Sequence, residues 1–376
     1  MFQRLRVMLI KEFTQVLRDP RMRMVIFVIP CIQTLVIGYA VTIDVEHAPT
    51  AVVDLDQSVD SRELVARFGS TRYFDLELQT ADLAQAGRLM DHGDVELIVR
   101  IMHGFSEDLR AGRTAKVQLI VDGTDSNTAA VVLGYAGRIT ADFSRQILLE
   151  RYQQSTGRRD LPGQVDLESR AWFNENLISR NFYVPGVIVI VVTLVTLLLT
   201  SMAVVREKEI GTIEQIMVTP IRPIEFVLGK TVPFALIGLI DVLIITVVGV
   251  FWFEVPVRGS LLVLFGSTCV YLMTTLGVGL LISTVSHTQQ QAMMSTFFFF
   301  FPAMLLSGFV FPIANMPQVV QWLTYFNPLR YFLVIVRGVF LKGIGLDILW
   351  PQIGALAVMG LATMSLVVAK FNKTIA

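Results

Sequence analysis

Apolar residues are grouped along the chain into six stretches, and polar segments separate them. A helix of about 20 apolar residues is long enough to cross the hydrocarbon core of a bilayer. The stretches cover residues 24–43, 183–205, 231–253, 261–285, 292–311 and 349–369. This pattern predicts an α-helical membrane protein with six transmembrane helices, called below the first to sixth predicted spans.

The segment between the first and second stretches, residues 44–182, has a different pattern. Charged residues return, and short β-rich runs alternate with runs at helical spacing. Strands alternating with helices are typical of an α/β domain, so we expect one to be inserted between the first and second spans. We predict strands at residues 51–54, 95–101 and 117–121, helices at 58–68, 81–90, 105–110 and 128–152, and helix caps at Ser58, Ser61 and Asp82.

Residues 1–23 form a basic segment ahead of the first predicted span. Its apolar residues recur at helical spacing. A basic helix with one apolar stripe is typical of the membrane surface, although a soluble cap on a neighbouring domain has the same pattern. The charged residues expected in this interfacial helix include Lys11, Glu12, Arg18 and Asp19, and Asp19-Pro20 is expected to end it.

The distribution of Lys and Arg predicts how the spans are oriented. Cytoplasmic segments are enriched in these residues, which places the basic N-terminus and the segment around Lys208 and Lys230 inside. Six crossings then place residues 44–182 outside and return the C-terminus to the cytoplasm. A cleaved signal peptide is the competing interpretation of residues 24–43, and it gives the same outside location for the segment that follows.

Residues 312–342 are apolar but interrupted by prolines and by Arg330 and Arg337. The runs 316–326 and 329–341 are too short to span a bilayer. We predict two short re-entrant helices at or dipping into the outer membrane surface. Asn327-Pro328 is typical of a helix start, with Asn as the cap and Pro in the first turn.

Composition agrees with a membrane location. Hydrophobic residues make up 53% of the chain and charged residues 16%, against roughly 25% charged residues in soluble proteins. The formal net charge is zero, which gives no reason to expect nucleic-acid binding. Cys31 and Cys269 lie far apart in apolar stretches, with no disulfide framework or zinc spacing.

The sequence contains no pattern of catalytic residues. The histidines lack metal-ligand spacing, and we interpret Asp54, Asp56 and Asp60 as a solvated turn rather than a metal site. Gly229-Lys230-Thr231 ends like a phosphate-binding loop, but Ile224 stands where that motif requires glycine. We therefore expect a chain that is not an enzyme, holds no metal or cofactor, and does not bind ATP itself.

Residues 206–220 follow the second predicted span with a charged start and an apolar face. Charges alternate over Arg206-Glu207-Lys208-Glu209, and apolar residues then recur at helical spacing until Pro220. We predict a short amphipathic helix on the cytoplasmic side. It either covers lipid headgroups only, or docks its apolar face into a groove of a cytoplasmic partner while its charges fix the register.

A few polar and aromatic residues inside the spans are candidates for a pathway or gate. Buried charge in a membrane suggests function by default, although Asp241 has Lys230 or Arg258 as alternative partners. Helix packing is an equal alternative for the threonine face of the second span. The phenylalanines before Pro302 form either lipid-facing bulk or a hydrophobic gate. The candidates are Thr193, Thr196, Thr200, Asp241, Phe298, Phe301, Pro302, Met304, Asn327 and Pro328.

The chain resembles the type 2 ABC exporter permeases, in the branch that includes bacterial inner-membrane multidrug permeases with a large periplasmic domain. The resemblance covers nearly the whole chain. Lys11-Glu12-Phe13 with Arg18-Asp19-Pro20-Arg21 is similar to the family's interfacial helix. Residues 206–214 with Val218-Thr219-Pro220 are similar to its coupling helix. The motifs similar to its re-entrant last segment are Gly308-Phe309, Pro312, Asn315-Met316-Pro317, Asn327-Pro328 and Arg337-Gly338.

The resemblance implies a permease subunit of an ATP-driven exporter for amphiphilic or lipophilic, drug-like compounds. It implies cytoplasmic ATPase subunits that hold ATP and Mg²⁺, a second permease chain that is the same or paralogous, and a periplasmic membrane-fusion protein. The residues implied in coupling to the ATPase are Arg206, Glu207, Lys208, Glu209, Gly211, Thr212, Glu214 and Pro220.

Two other classes of protein fit parts of the sequence. An ion-coupled carrier would use Asp241 as a proton or cation site, but it requires more polar groups inside the spans than the sequence offers. A membrane-anchored receptor or assembly subunit would use the outer domain alone, and it does not need six spans.

Overall fold

The computed structural model describes residues 2–40, 47–157, 172–174, 178–211 and 223–375. Contacts between residues divide the chain into two compact units. The helical unit comprises residues 1–42 and 170–376, and the α/β unit comprises residues 43–169.

The helical unit begins with consecutive helical segments. Helix α1 (Phe2–Arg18) ends just before Pro20, as predicted, and α2 (Pro20–Arg23) follows. A π-helix at Met24–Val28 leads into α3 (Ile29–Ala40). The apolar segment Met24–Ala40 has 17 residues, and a helix of that length extends about 25 Å. The predicted first span continues to residue 43, so its end lies outside the described residues.

The α/β unit contains a four-stranded sheet with the order β2-β1-β3-β4. Strand β1 (Ala48–Asp54) pairs in parallel with β2 (Phe74–Thr80) and with β3 (Leu97–Ile101), and β4 (Val117–Val121) pairs antiparallel with β3. The helices are α4 (Val59–Gly69), α5 (Leu83–His92), α6 (Phe105–Arg110) and α7 (Ser126–Thr156). Strand β2 was not predicted, although Phe74, Leu76 and Leu78 alternate with polar residues as a half-buried strand requires.

Both faces of this sheet are covered. Helices α4, α6 and α7 share a hydrophobic core with one face, which includes Leu64, Phe105 and Val132. Helix α5 covers the other face, where Ala86 is buried beside residues of β1 and β3.

Two of the three predicted caps are present in this unit. The side chains of Ser58 and Asp82 accept hydrogen bonds from the backbone N–H groups of Ser61 and Ala84. The prediction for Ser61 was wrong, because Ser61 lies inside α4 and its hydroxyl donates to Asp54 Oδ2 over 2.7 Å.

The second half of the chain is helical where the structure describes it. Among the described residues, four helices are long and apolar enough to cross a membrane. They correspond to the second, third, fourth and sixth predicted spans. The helices of this half are α8 (Ser179–Ile210), α9 (Pro223–Phe251), α10 (Leu261–Val285), α11 (Gln289–Leu305), α12 (Gln318–Thr324), α13 (Pro328–Arg337) and α14 (Leu346–Ile375), with a π-helix at Gly338–Lys342.

The fifth predicted span, residues 292–311, is wrong at its C-terminal end. Helix α11 has 17 residues and stops at Leu305, three residues after Pro302. The Ser307 hydroxyl accepts a hydrogen bond from the N–H of Phe309 over 3.1 Å. Residues 306–311 therefore leave the helix, and Gly308, with a φ of 85°, takes the left-handed conformation that glycine favours.

Helix α8 lies at the centre of the helical unit. It packs against α3, α9, α10, α11 and α13, and most of its side chains are buried. This explains why α8 is apolar on all sides rather than on one stripe.

The segment 312–342 contains the two short helices expected for it. Asn327 Oδ1 accepts from the N–H of Leu329 over 3.1 Å, with Pro328 in the first turn of α13, so the predicted cap is confirmed. The apolar face of α13 is buried against α8 and α14.

Candidate functional site

Four charged side chains from three helices meet where the middle of α1 packs against the last turn of α8 and the first turns of α9. Lys230 Nζ lies 2.6 Å from Glu12 Oε1 and 2.8 Å from Glu207 Oε1. Lys11 Nζ lies 3.0 Å from the same oxygen of Glu207. We call Lys11, Glu12, Glu207 and Lys230 the ion cluster. It brings together two predicted residues of the interfacial helix and one of the predicted coupling residues.

The ion cluster is almost fully buried. The side chains of Lys230, Glu12 and Glu207 are 2%, 4% and 7% exposed, and only Lys11 reaches solvent, with 52% exposed. Its carboxylates and ammonium groups balance in number. A buried ion pair is tolerated when its geometry is good and its charges are matched, and these short contacts meet that condition.

Apolar packing brings the three helices together beside these charges. Val204 of α8, Phe226 and Val227 of α9 and residues of α10 and α14 form a small separate core. Met8 of α1 packs against it, and a Cβ at Gly229 would lie only 3.0 Å from the Met8 side chain. The absence of a side chain at Gly229 lets α1 approach α9 closely, and Lys230 then falls within reach of Glu12.

The two residues after Glu207 bind different helices. Lys208 Nζ donates to the backbone oxygen of Ser283 over 2.8 Å and lies 3.4 Å from those of Thr284 and Ser286. These are the last carbonyls of α10, where a cation also opposes the helix dipole favourably.

Glu209 Oε1 accepts from the backbone N–H of Gln289, the first residue of α11, over 2.8 Å, and the Gln289 side chain donates to Oε2. The last turn of α8 therefore contacts α1, α9, α10 and α11 through three consecutive charged residues. We call Glu207, Lys208 and Glu209, with these partners, the α8 junction.

The predicted coupling helix 206–220 needs a correction at its start. Arg206 to Glu209 continue α8 without a break, and the helix ends at Gly211, whose φ of 79° is the left-handed conformation that glycine favours. Glu207 belongs to the ion cluster and does not present its side chain on an exposed surface. Thr212, Glu214 and Pro220 lie outside the described residues.

The threonines of the second span are fully buried at contacts between helices. Thr193 hydrogen bonds to the Val189 carbonyl and the Tyr271 hydroxyl. Thr196 Oγ1 donates to the Val192 carbonyl over 2.6 Å, and Thr200 is likewise 0% exposed. The arrangement is that of helix packing, the alternative that the sequence left open.

Asp241 is buried in the middle of α9, 0% exposed. Neither of its carboxylate oxygens has a hydrogen-bond partner among the described residues. The sequence suggested Lys230 as a partner, and this is wrong because Lys230 binds Glu12 and Glu207. An unpaired carboxylate in a spanning helix is costly, so Asp241 is a second candidate for function.

The gate candidates fall into two groups. Phe298 and Phe301 are 84% and 52% exposed on the outside of α11, with Pro302 also exposed and Met304 half-buried. Asn327 and Pro328 are buried instead, and Asn327 Nδ2 donates to the carbonyl of Ala303 in α11 over 2.6 Å. The structure therefore does not bring these candidates to one place.

The remaining predicted interfacial residues lie where α1 ends. Arg18 is the last residue of α1, and the Asp19 carbonyl accepts from the N–H of Arg23 over 3.1 Å.

The predicted turn at Asp54, Asp56 and Asp60 is internally hydrogen bonded. Asp54 Oδ1 accepts from the N–H of Asp56, and Asp56 Oδ2 accepts from the N–H of Ser106. Burial raises the pKa of Asp56, but hydrogen bonds from the Ser58 side chain and the Ser106 backbone outweigh it and hold the pKa below its ordinary value.

Sequence reasoning missed several partners in the site. It noted Lys230 as an orientation signal, within an incomplete phosphate-loop motif and as a possible partner of Asp241, but not as a partner of Glu12 and Glu207, and it gave Gln289 and Tyr271 no role. The position of Lys230 directly before an apolar stretch was the feature of the sequence that could have indicated its role in the site. Tyr271, fully buried and stacked on Phe332 with centroids 4.1 Å apart, gave no signal beyond its position in a span.

Comparisons with known proteins agree over nearly the full length. A family model described as "ABC-2 family transporter protein" matches residues 20–369. "Probable multidrug ABC transporter permease YbhR" of Escherichia coli (strain K12) is 33% identical over 375 residues, covering 100% of both chains. YbhS of the same strain, named in the same way, is 34% identical over 344 residues, 91% of this chain and 89% of its own. "Inner membrane transport permease YhhJ" is 31% identical over 333 residues, 87% and 86% of the two chains.

Proposed function

This chain belongs to the ABC-2 family of transporter permeases, and on that basis we propose that it is the membrane subunit of an exporter driven by a separate ATPase. It moves amphiphilic or lipophilic compounds out of the cytoplasm or the inner leaflet. The ATP and Mg²⁺ are held by the partner, and the permease itself catalyses no reaction.

The α8 junction is the observation that carries this proposal. Three consecutive charged residues at the end of α8 bind α1, α9, α10 and α11. A partner that displaces the segment after Gly211 acts on all of these helices at once. Rigid-body movement of packed helices between discrete arrangements is the usual basis of such coupling.

The assembly follows from the same proposal. Six spans, with α3 and α11 as the first and fifth, place both termini in the cytoplasm of a bacterial inner membrane and the α/β unit outside. Cytoplasmic ATPase subunits dock on the segment that follows α8, residues 211–220, a second permease chain (the same or paralogous) completes the pathway, and a periplasmic membrane-fusion protein binds the α/β unit. Glu207 acts by holding the end of α8 in place, while Glu214 contacts the ATPase.

The test is reconstitution of Glu207→Gln and Glu214→Ala with the ATPase subunit. Gln keeps the size of Glu and accepts hydrogen bonds from Lys230, so the Glu207 variant assembles in the membrane. Glu207→Gln removes the charge that joins α1, α8 and α9, and Glu214→Ala removes the proposed contact with the ATPase. Substrate-stimulated ATP hydrolysis and transport therefore fall in both variants. Glu63→Gln is the matched control, because Glu63 is 52% exposed on the α/β unit and, among the described residues, forms its ion pair with Arg67 over 2.8 Å. Wild-type stimulation in both site variants would contradict the proposal.

An ion-coupled carrier is the second candidate, and Asp241, whose carboxylate has no hydrogen-bond partner among the described residues, favours it. The two mechanisms separate in proteoliposomes. Transport that requires the ATPase and ATP and persists without a proton gradient supports the exporter. Transport by the permease alone, driven by a proton gradient, supports the carrier. A chain that binds a ligand and transports nothing in either assay is a receptor or assembly subunit.

A further inference from the structure

An apolar groove opens on the side of the helical unit between α9 and α14, with α10 as its floor. Its volume is about 370 Å³, toward the lower end of the ~300–1,000 Å³ of small-ligand pockets. The lining includes Ile224, Leu228 and Ala235 of α9, Cys269 and Leu276 of α10, and Met364 of α14. We call this feature the α9/α14 groove.

Close packing of α14 and α9 against α10 creates the groove. A Cβ at Gly277 of α10 would lie 2.6 Å from Thr363 of α14, and the Thr274 hydroxyl donates to the Leu356 carbonyl over 3.2 Å. On the other side, a Cβ at Gly238 of α9 would lie 2.7 Å from the Leu272 side chain of α10. Since α9 and α14 each pack tightly on α10 but contact each other only sparsely, a cleft remains between them.

Among the described residues that line it, the groove offers no free hydroxyl, amide or charged group to a ligand. Thr231 is its polar lining residue, and the Thr231 hydroxyl already donates to the Val227 carbonyl over 2.9 Å. The mouth of the groove is apolar as well, because Ile224, Leu228 and Met273 are 53%, 37% and 39% exposed. All three walls belong to helices apolar and long enough to span a membrane, so the part of the mouth beyond residue 231, where the third predicted span begins, faces hydrocarbon.

The length of the groove matches one leaflet. Its α9 wall runs from Ile224 to Ala235, which is about 16 Å at 1.5 Å per residue. That is about half of the ~30 Å hydrocarbon core. An apolar cleft of this length fits a single extended hydrocarbon chain better than a compact or polar ligand.

We propose that the α9/α14 groove binds one acyl chain of a membrane phospholipid, lying lengthwise along α9. The chain fills the cleft between α9 and α14 and supports α9 beside Lys230, since Val227 and Thr231 line the groove on either side of that residue. The ion cluster and the bound chain then hold the same turn of α9 from two sides. This proposal needs only the membrane location of the helices and is independent of transport.

The experiment uses the full-length protein in nanodiscs of phosphatidylcholine that carries a diazirine in its acyl chain. After irradiation, adducts are mapped by mass spectrometry of peptides. Adducts are expected to concentrate on residues 224–235 and 269–276. Ala235→Phe and Cys269→Phe each fill the groove and are expected to lose these adducts. Leu243→Phe is the matched control, because Leu243 is 50% exposed on α9 outside the groove, and it keeps them. The thermal unfolding of each variant is measured to show that a loss of adducts does not come from misfolding.

Several outcomes would overturn the proposal. Adducts spread evenly over the lipid-facing residues, or unchanged in both groove variants, mean that the groove holds no particular chain. Disulfide formation between two Cys269 side chains in a Cys31→Ser background means that a second copy covers the groove. Loss of the adducts when a transported compound is added means that the groove is a substrate site. Because no ATPase is present, a failure here leaves the exporter proposal untouched.

Discussion

Glu12, Glu207 and Lys230 illustrate what burial does to charged residues. Each side chain is less than 10% exposed, and each is balanced by a neighbour on another helix. Removing one partner from a buried ion pair costs about 3–5 kcal/mol, because the remaining charge loses both water and its counter-ion. Asp241 is the contrasting case, equally buried but without a hydrogen-bond partner among the described residues.

Asp241→Asn separates a functional from a structural role. Because no described group pairs with the carboxylate, the amide breaks no ion pair, and we expect thermal stability in detergent equal to or above that of the wild type. Transport in proteoliposomes is expected to fall if the charge or proton of Asp241 is used in the cycle. Wild-type transport would make Asp241 structural, and a lower unfolding temperature would mean that the carboxylate has a stabilising partner after all.

At the level of elements, side chains that bond to the ends of neighbouring helices link the helices of the helical unit. The last turn of α8 binds the end of α10 through Lys208 and the start of α11 through Glu209. Asn327 caps α13 through Oδ1 and donates from Nδ2 to Ala303 near the end of α11. Helix ends leave backbone groups without partners inside the helix, and this unit satisfies them with side chains from neighbouring helices.

Variants of Asn327 test whether this residue is a gate or a link between helices. Asn327→Ala removes both hydrogen bonds, so we expect the free energy of unfolding to fall by about 2 kcal/mol or more. The cap contributes ~1 kcal/mol, and the rest comes from the buried carbonyl left unpaired. Asn327→Asp keeps the cap but removes the donor to Ala303, and we expect the free energy of unfolding to fall even though the cap remains. Unfolding in detergent measures the stability of both variants. Normal stability with abolished transport in Asn327→Ala would instead favour the gate.

For the whole molecule, the decisive property is how often the chain crosses the membrane. Four helices are clearly long enough, while Met24–Ala40 and α11, with 17 residues, extend about 25 Å, slightly less than the ~30 Å hydrocarbon core. Tilted neighbours and local thinning of the bilayer accommodate small mismatches of this kind. The six-span topology therefore depends on these two shorter helices.

Labelling of single cysteines tests that topology. In a background of Cys31→Ser and Cys269→Ser, Glu63→Cys lies on the α/β unit and His287→Cys lies between α10 and α11, both exposed. With six spans, a membrane-impermeant maleimide added to intact cells labels the cysteine at 63 but not at 287, and permeabilised cells label both. Equal labelling of the two positions in intact cells would rule out the proposed orientation.

The sequence by itself determined the class of protein, most of the apolar helices and most strands of the α/β unit, because these depend on local runs of residue types. It also indicated the helix breaks at Pro20 and Asn327-Pro328, which follow from the backbone chemistry of proline and from capping. It missed β2, although its alternation was present over seven residues, and it extended α11 beyond Leu305, since apolar residues outside a helix look the same as those within it.

Only the tertiary structure decided which residues act together. Lys11 and Glu12, Glu207, and Lys230 come from three separate segments of the chain, and their meeting depends on how α1, α8 and α9 pack around Gly229. The same packing buried Glu207, turned the threonines of α8 toward neighbouring helices, and left the α9/α14 groove between two helices that share α10 as a partner. Such contacts arise from helix–helix geometry over hundreds of residues, which periodicity along one segment does not encode.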